Sequence, residues 1–273
     1  MIKRIIKLTI SLIFFVVDYS LTKTKKCLGI YLPGRCIILC YHSVPAPLAE
    51  KFEKQMDLLL RFCIPLHADY AETLTEGKRY AAITFDDGFK SVLDNAVPVL
   101  QDRHIPFSIF MLSNRFNYYP DWIKEKDHPD RLEIIMSVDQ LNSINTPLLN
   151  IGSHGMTHSD LTVLTREDAK KELLESKNQL ESFTNRDIKL FAFPDGFYNK
   201  DLVSMARTAG YERVFTVDPV NAFTQKDEFV TGRFDVSPSF WKIEYLLTIL
   251  GAYRWLIYAF RLKRLILGLF KRN

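Results

Sequence analysis

The 273 residues fit one large domain better than two, since single α/β domains routinely reach this size. A 47% hydrophobic composition with 12 prolines and 11 glycines is that of an ordinary globular chain, without low-complexity tracts or internal repeats, which excludes disordered and solenoid architectures. The formal net charge of +4 is too small to argue for a nucleic-acid partner, and the basic excess gathers at the two ends of the chain.

The first stretch, MIKRIIKLTISLIFFVVDYSLTKTKK, joins a basic head (Lys3, Arg4, Lys7) to an uncharged run from Leu8 to Val17, and resembles a signal sequence without its small-residue cleavage site. Ten helical residues reach about 15 Å against roughly 30 Å of hydrocarbon, so a spanning helix would need Lys7 and Asp18 to snorkel. Residues 1–34 are therefore expected as a basic, apolar helix able to hold the chain at a membrane, ahead of a folded domain over 35–238. From Arg35 onward, strand-like and helix-like segments alternate. CIILCYH reads as a buried strand, LAEKFEKQMDLLLRF as a helix, AAITF as a second strand, and FKSVLDNAVPVLQDRH as a helix with Pro98 at a kink or boundary. PFSIFMLS is a strand, SVDQLNSIN a short helix opened by a Ser137 to Gln140 capping box, LLNIGSH a strand and TREDAKKELLESKNQLESF a long amphipathic helix. KLFAFP, RVFTV and a last strand near FVTGRFDV complete the set, with the helix NKDLVSMARTAG closed by Gly210. This alternation means parallel strands with crossover helices, in an open doubly wound sheet or a barrel.

The remaining segment, 239–273, is expected as a basic amphipathic C-terminal helix; from Tyr245 onward it has six basic residues and no acidic one. Such a helix suits a membrane surface or the outer wall of the domain. Cys27, Cys36, Cys40 and Cys63 form no Cys-x-x-Cys pair, which removes zinc knuckles and dithiol redox chemistry, and Cys36 and Cys40 read as buried structural thiols.

The unusual polar clusters all follow strand ends: His42, then Asp86 and Asp87, then His154 and His158, then Pro194 to Gly196. In parallel α/β folds ligand and catalytic groups collect at that edge. In IGSHGMTHSD the two histidines are four apart, and Gly155 permits the tight turn that would bring both imidazoles onto one metal; it also excludes the helical protease motif, which needs Glu there. Two histidines and one carboxylate leave a fourth position on zinc for a water, whose pKa then falls to about 7. Along an extended backbone Asp86 and Asp87 would point in opposite directions, one to a cation and one to substrate or water. The plainer alternatives are solvent-facing loop histidines and an Asp-Gly turn with an aspartate as helix cap.

TFDDG, SHGMTH and FAFPDG, in this order and spacing, resemble the signature motifs of the polysaccharide deacetylases, the carbohydrate esterase family of metal-dependent de-N-acetylases and de-O-acetylases. The resemblance covers about residues 36 to 236, and its early CYHSV is similar to members with a "YH" motif that deacetylate exported poly-N-acetylglucosamine. It implies a deformed (β/α)7 TIM-like barrel, here with additional N- and C-terminal helices, and a divalent metal, commonly Zn2+, on Asp87, His154 and His158. It also implies that Asp86 is the general base and that the backbone N–H of Asp195 binds the developing oxyanion. Two departures stand out: Ala192 occupies the place of a common arginine, and no histidine follows His158 to supply the usual late acid. His42 of the YH motif then becomes the candidate acid, Arg233 the candidate replacement for the arginine and Asp218 a candidate partner for the acid, while His67, His104 and His128 read as surface residues. The activity implied is removal of N-acetyl groups from an N-acetylhexosamine glycan, with an O-acetyl esterase and a noncatalytic carbohydrate-binding protein as alternatives. The basic, apolar termini suit a glycan carried at a membrane, lipid-linked glycans included, and a membrane-associated chain; positive charges on both sides of the apolar segment leave the side open, with a lean to the cytoplasmic face because no cleavable signal is visible.

Overall fold

A computed structural model of the chain describes residues 1–262. Helix α1 (Ile2–Cys27) leads into β1 (Arg35–Tyr41), α2 (Ala49–Phe62), the two-residue β2 (Ile64–Pro65) and β3 (Arg79–Phe85). A π-helical stretch, Val92–Ala96, runs into α3 (Val97–Asp102), whose first turn contains Pro98 at the expected boundary. Then come β4 (Phe107–Met111), α4 (Val138–Ser143), β5 (Leu149–Ser153), α5 (Arg166–Thr184), β6 (Leu190–Ala192), α6 (Lys200–Thr208) and β7 (Arg213–Phe215). The very short β8 (Val230–Thr231) and β9 (Phe234–Asp235) precede α7 (Lys242–Ile249).

Pairings between these strands are parallel, in the order β8-β7-β6-β5-β4-β3-β1-β9, with β2 beside β3. The single strand expected over FVTGRFDV is in fact broken at Gly232–Arg233. Its first half pairs with β7 and its second half with β1, so one short segment joins the two ends of the sheet into a deformed (β/α)7 barrel. The break matters because it leaves Arg233 outside both ladders, free to turn its side chain inward.

Burial on both faces explains the near-continuous apolar runs of β1 and β3, as a parallel sheet covered by helices requires. Alternation sorts β1 into layers: Ile37, Leu39 and Tyr41 pack with the helices, while Cys36 and Ile38 point into the barrel with Ala82, Phe110 and Phe215. Helix starts follow the sequence signals. Ser137 and Gln140 form the expected capping box of α4, Thr165 caps α5 through the Asp168 N–H, and Asn199 caps α6 through the Leu202 N–H.

The two ends differ in detail from expectation. Helix α1 runs well beyond its uncharged run, about 39 Å at 1.5 Å per residue, and is long and apolar enough to cross a bilayer. Asp18 does not snorkel, because it pairs with Arg35 at 2.6 Å and with Arg254 at 3.1 Å. At the other end the expected single helix over 239–273 is divided: α7 stops at Ile249 and a 3-10 turn, Ala252–Trp255, redirects the chain. Residues 263–273 of that segment lie outside the described residues.

Candidate active site

Because the strands are parallel, the groups that follow them gather at one edge. His42 follows β1, Asp86 and Asp87 follow β3, His154 follows β5 and Pro194 comes two residues after β6. The two aspartates diverge for a different reason than alternation on an extended chain. Asp87 and Gly88 have φ of +68° and +71°, a left-handed turn at the strand end. A Cβ at Gly88 would also lie 2.3 Å from Met111 Sδ, so both backbone and space require glycine there.

Asp87 faces the histidines. Its Oδ1 lies 3.6 Å from His154 Nε2 and 3.5 Å from His158 Nε2, and the three potential donor atoms are all within 4.8 Å of one another. The connecting loop turns at Gly155 (φ +87°) and His158 (φ +61°), as the glycine in the motif suggests. Glu172 of α5 secures that loop by accepting from the Met156 N–H at 2.6 Å and the Thr157 hydroxyl at 2.7 Å. His154 Nδ1 is 2.8 Å from the Ala192 carbonyl oxygen, which makes Nδ1–H the donor and leaves the Nε2 lone pair directed at Asp87. The indole of Trp122 stacks on His158 at 4.5 Å with the rings 6° from parallel.

The electrostatics of the three groups suit a cation. Burial, with the charge of Arg233 adding to it, pushes His154 down to about 4, and burial with its histidine neighbour pushes His158 down to about 3, so both imidazoles are neutral. Burial, together with the neighbouring carboxylates of Asp86, Asp130 and Asp195, pushes Asp87 up to about 7. Among the described residues its Oδ1 is buried without a hydrogen-bond partner. A carboxylate deprived of donors between two imidazole lone pairs fits a divalent ion, and these ligand types suit zinc.

Asp86 has the opposite environment. Arg233 donates to both of its oxygens, at 2.6 and 2.7 Å, and the Cys40 thiol donates to Oδ2 at 3.2 Å. Burial alone would raise this carboxyl, but Arg233, then His154 and His42, hold it well below the usual carboxylate range. Arg233 is fully buried and lies over the rings of Phe110 and Phe215, at 5.3 and 5.8 Å. It thus makes the contact to Asp86 expected of the arginine missing at position 192, while the carbonyl of Ala192 accepts from His154. Cys40, His42 and Asp86 also lie close together, but Asp86 is committed to Arg233 and burial keeps the Cys40 thiol protonated, so that trio lacks the charge to hold an ion.

His42 stands at the mouth of the site, 38% exposed, with Nδ1 3.8 Å from Asp235 Oδ1. Desolvation opposes its charge, yet Asp87, Asp235, Asp86 and Asp130 together raise the imidazole above its ordinary value. Asp235, not Asp218, is therefore the carboxylate facing it; Asp218 accepts from the Tyr198 hydroxyl at 3.2 Å. Asp195 sits in the 3-10 turn Pro194–Gly196 at φ +54°. Together with His42 and Asp235 it lines a groove of about 710 Å³ that is also lined by Lys3, Arg4 and Lys7 of α1. His104 and His128 are exposed as expected, whereas His67 is only partly so and its Nδ1 is buried. Sequence reasoning missed Trp122 and Asp235 and gave Cys40 only a structural place. Trp122 lies in a long loop with no motif to announce it.

Comparisons with known proteins bear on the family. The family model described as polysaccharide deacetylase matches residues 73–214, about half of the chain, and that stretch contains both aspartates and both histidines. The Bacillus subtilis (strain 168) protein YxkH, named as a polysaccharide deacetylase, is 24% identical over 220 residues, covering 76% of this chain and 73% of that protein. The poly-beta-1,6-N-acetyl-D-glucosamine N-deacetylase of Staphylococcus epidermidis is 27% identical over 172 residues, 59% of this chain but little more than half (55%) of that enzyme. Among solved structures, IcaB from Ammonifex degensii superposes with a TM-score of 0.66 at 22% identity, over 82% of this chain and 98% of that one, which bears on the fold. The family match over the very segment that supplies the aspartate pair and the histidine pair leads to one conclusion: the chain belongs to the polysaccharide deacetylase family, a family of hydrolytic enzymes.

Proposed function

We propose that this chain is a divalent-metal-dependent hydrolase that removes N-acetyl groups from an N-acetylhexosamine glycan and releases acetate. The observation that carries the reading is the pair of unlike carboxylates. Asp87 is buried and short of donors between two neutral imidazoles, and Asp86, its neighbour, is held ionised by Arg233. Asp87, His154 and His158 would hold the ion, and zinc is the metal we assign. Bound there, it supplies Lewis-acid charge that activates water and polarises the amide carbonyl.

The chain's own groups do the rest. Asp86 accepts the proton of the water that attacks the acyl carbon. The backbone N–H of Asp195 donates to the oxyanion that develops on the carbonyl oxygen. His42, its proton favoured by the surrounding carboxylates, protonates the amine as the C–N bond breaks, leaving acetate and a free amino sugar. The Staphylococcus epidermidis relative, named for poly-beta-1,6-N-acetyl-D-glucosamine, supports a poly-N-acetylglucosamine type of substrate. The groove lined by His42, Lys3, Lys7 and Phe260 combines cationic and apolar walls, which suits a glycan carried on a lipid phosphate.

The test is acetate release from oligomers of N-acetylglucosamine by the wild type beside Asp86→Asn. The expected result is release by the wild type and a rate lower by about 10² or more in the variant, the scale of a general base. Equal rates would remove Asp86 from the role, and release from O-acetyl esters alone would replace the amide reading with an esterase.

A further inference from the structure

Helix α1 is apolar on the side turned away from the domain as well as on the side that packs against it. At 3.6 residues per turn, Arg4, Leu8, Ser11, Phe15, Asp18 and Thr22 share one side, and that mixed side is turned to the domain, with Leu8 and Phe15 packed on its core. Arg4 donates to Glu244 and stacks on Trp241, Ser11 accepts from Trp255 Nε1 at 2.9 Å, and Arg35 bridges Asp18 and Thr22. The opposite face carries Ile2, Ile6, Ile13, Val16, Val17 and Leu21, each more than half exposed. A helix packed on a protein in water carries polar and charged residues on its outer face, and this one carries an aliphatic stripe there.

The charges around the stripe identify what covers it. Lys3 and Lys7 flank one end and Lys23, Lys25 and Lys26 the other, with Asp18 the sole acidic residue among the first 34, and Asp18 is already paired inward. The C-terminal stretch that packs beside α1 adds exposed Tyr258 and Leu262 and is free of acidic residues from Tyr245 onward. Apolar stripe with cationic flanks is the pattern of a helix lying in the interface of an anionic bilayer. A second copy of this chain fits poorly, because two such stripes packed together would bring lysines against lysines at both ends. A spanning helix fits poorly too, because the ion pairs at Arg4 and Asp18 tie both halves of α1 lengthwise to the domain.

We propose that α1 lies in the plane of an anionic membrane leaflet, with its exposed aliphatic stripe in the acyl boundary and its opposite side, tied by Arg4, Ser11 and Asp18, on the domain. The first two turns of α1 also line the groove shared by His42 and Asp195, so docking holds that groove at the lipid surface where a membrane-carried glycan would be presented. Binding itself does not depend on the hydrolytic reading, and the two fail separately.

The experiment is co-sedimentation of the full chain with vesicles of phosphatidylglycerol and phosphatidylcholine, and with phosphatidylcholine alone. The wild type should sediment with the anionic vesicles. The triple variant Ile6→Asp, Ile13→Asp, Val17→Asp, whose sites face away from the domain, should bind them at least tenfold less with an unchanged melting curve. Lys23→Gln, Lys25→Gln, Lys26→Gln should lose the preference for anionic lipid. Wild type left in the supernatant, or a triple Asp variant that sediments equally, would overturn the proposal, as would a lipid-free wild-type dimer that the Asp variant makes monomeric. Orientation has its own reporter, because Cys27 at the end of α1 is exposed whereas Cys36, Cys40 and Cys63 are buried. A membrane-impermeant maleimide added outside sealed vesicles should label both Cys27 and the thiol introduced by Lys3→Cys. Labelling of only one end would mean a spanning helix and overturn the in-plane arrangement.

Discussion

Replacing Arg233 by methionine removes the guanidinium from a fully buried ion pair and leaves Asp86, 3% exposed, without its cation. Breaking a buried pair from one side costs about 3–5 kcal/mol, because the remaining charge keeps its desolvation penalty. Compensation is small, since the Cys40 thiol is a weak donor, the Phe110 and Phe215 rings that flank the guanidinium offer none, and the histidines that also favour the carboxylate rank below Arg233 and do not replace its two hydrogen bonds. At roughly 2–4 °C per kcal/mol for chains near this size, Arg233→Met should lower Tm by about 10 °C at pH 7.5. The pH dependence follows from the direction of the Asp86 shift. In the wild type its depressed pKa contributes stability that is present above the unfolded value, about 3.9, and is lost only as pH falls toward the lower folded value. In the variant, burial without Arg233 raises the Asp86 pKa, so the deficit is largest at neutral pH and shrinks on acidification as the carboxyl becomes neutral. Paired melting curves at pH 7.5 and pH 4.5 measure this. Equal Tm at pH 7.5, or a difference that does not change with pH, would refute the ion pair as the device that keeps Asp86 ionised.

His42→Ala should slow hydrolysis of an N-acetyl amide far more than that of an activated acetate ester, whose leaving group needs no proton; equal losses would deny His42 the role of acid. Since the neighbouring carboxylates raise the His42 pKa, the wild-type rate should persist through neutral pH and fall as pH climbs through that raised value, and the pH–rate profile of His42→Ala should lack this alkaline limb. Trp122→Ala removes the ring stacked on His158 and should weaken zinc affinity by about 10-fold, read by competition with a chromophoric chelator, as loss of an orienting neighbour does. Unchanged affinity would make Trp122 a packing neighbour of His158 and no more.

Much of this architecture was legible because the chain states it locally. Continuous apolar runs such as CIILCY and YAAITF announce strands buried on both faces, and the Ser137, Thr165 and Asn199 caps mark helix starts where sequence rules expect them. The site was legible for a related reason: parallel strands share one catalytic edge, so clusters that follow different strands meet. What stayed hidden depends on tertiary placement. The stretch VTGRFD reads as one strand, and only the closing of the sheet shows that its halves pair with different neighbours and turn Arg233 inward. The reach of Cys40 to Asp86 and of Trp122 to His158 joins segments 46 and 36 positions apart, which no periodicity reports. The N-terminal helix is the sharpest instance. Its amphipathic period is visible, but the side that meets the protein is not, and the ordinary rule would have turned its aliphatic stripe inward.

Elemental analysis of the dialysed full chain, wild type beside His158→Ala, reads out whether Asp87, His154 and His158 hold a divalent ion. Loss of one of three ligands should abolish tight retention, so the account predicts about one zinc per wild-type chain and close to none in the variant. Wild type without bound metal after reloading, or His158→Ala retaining as much as wild type, would contradict it.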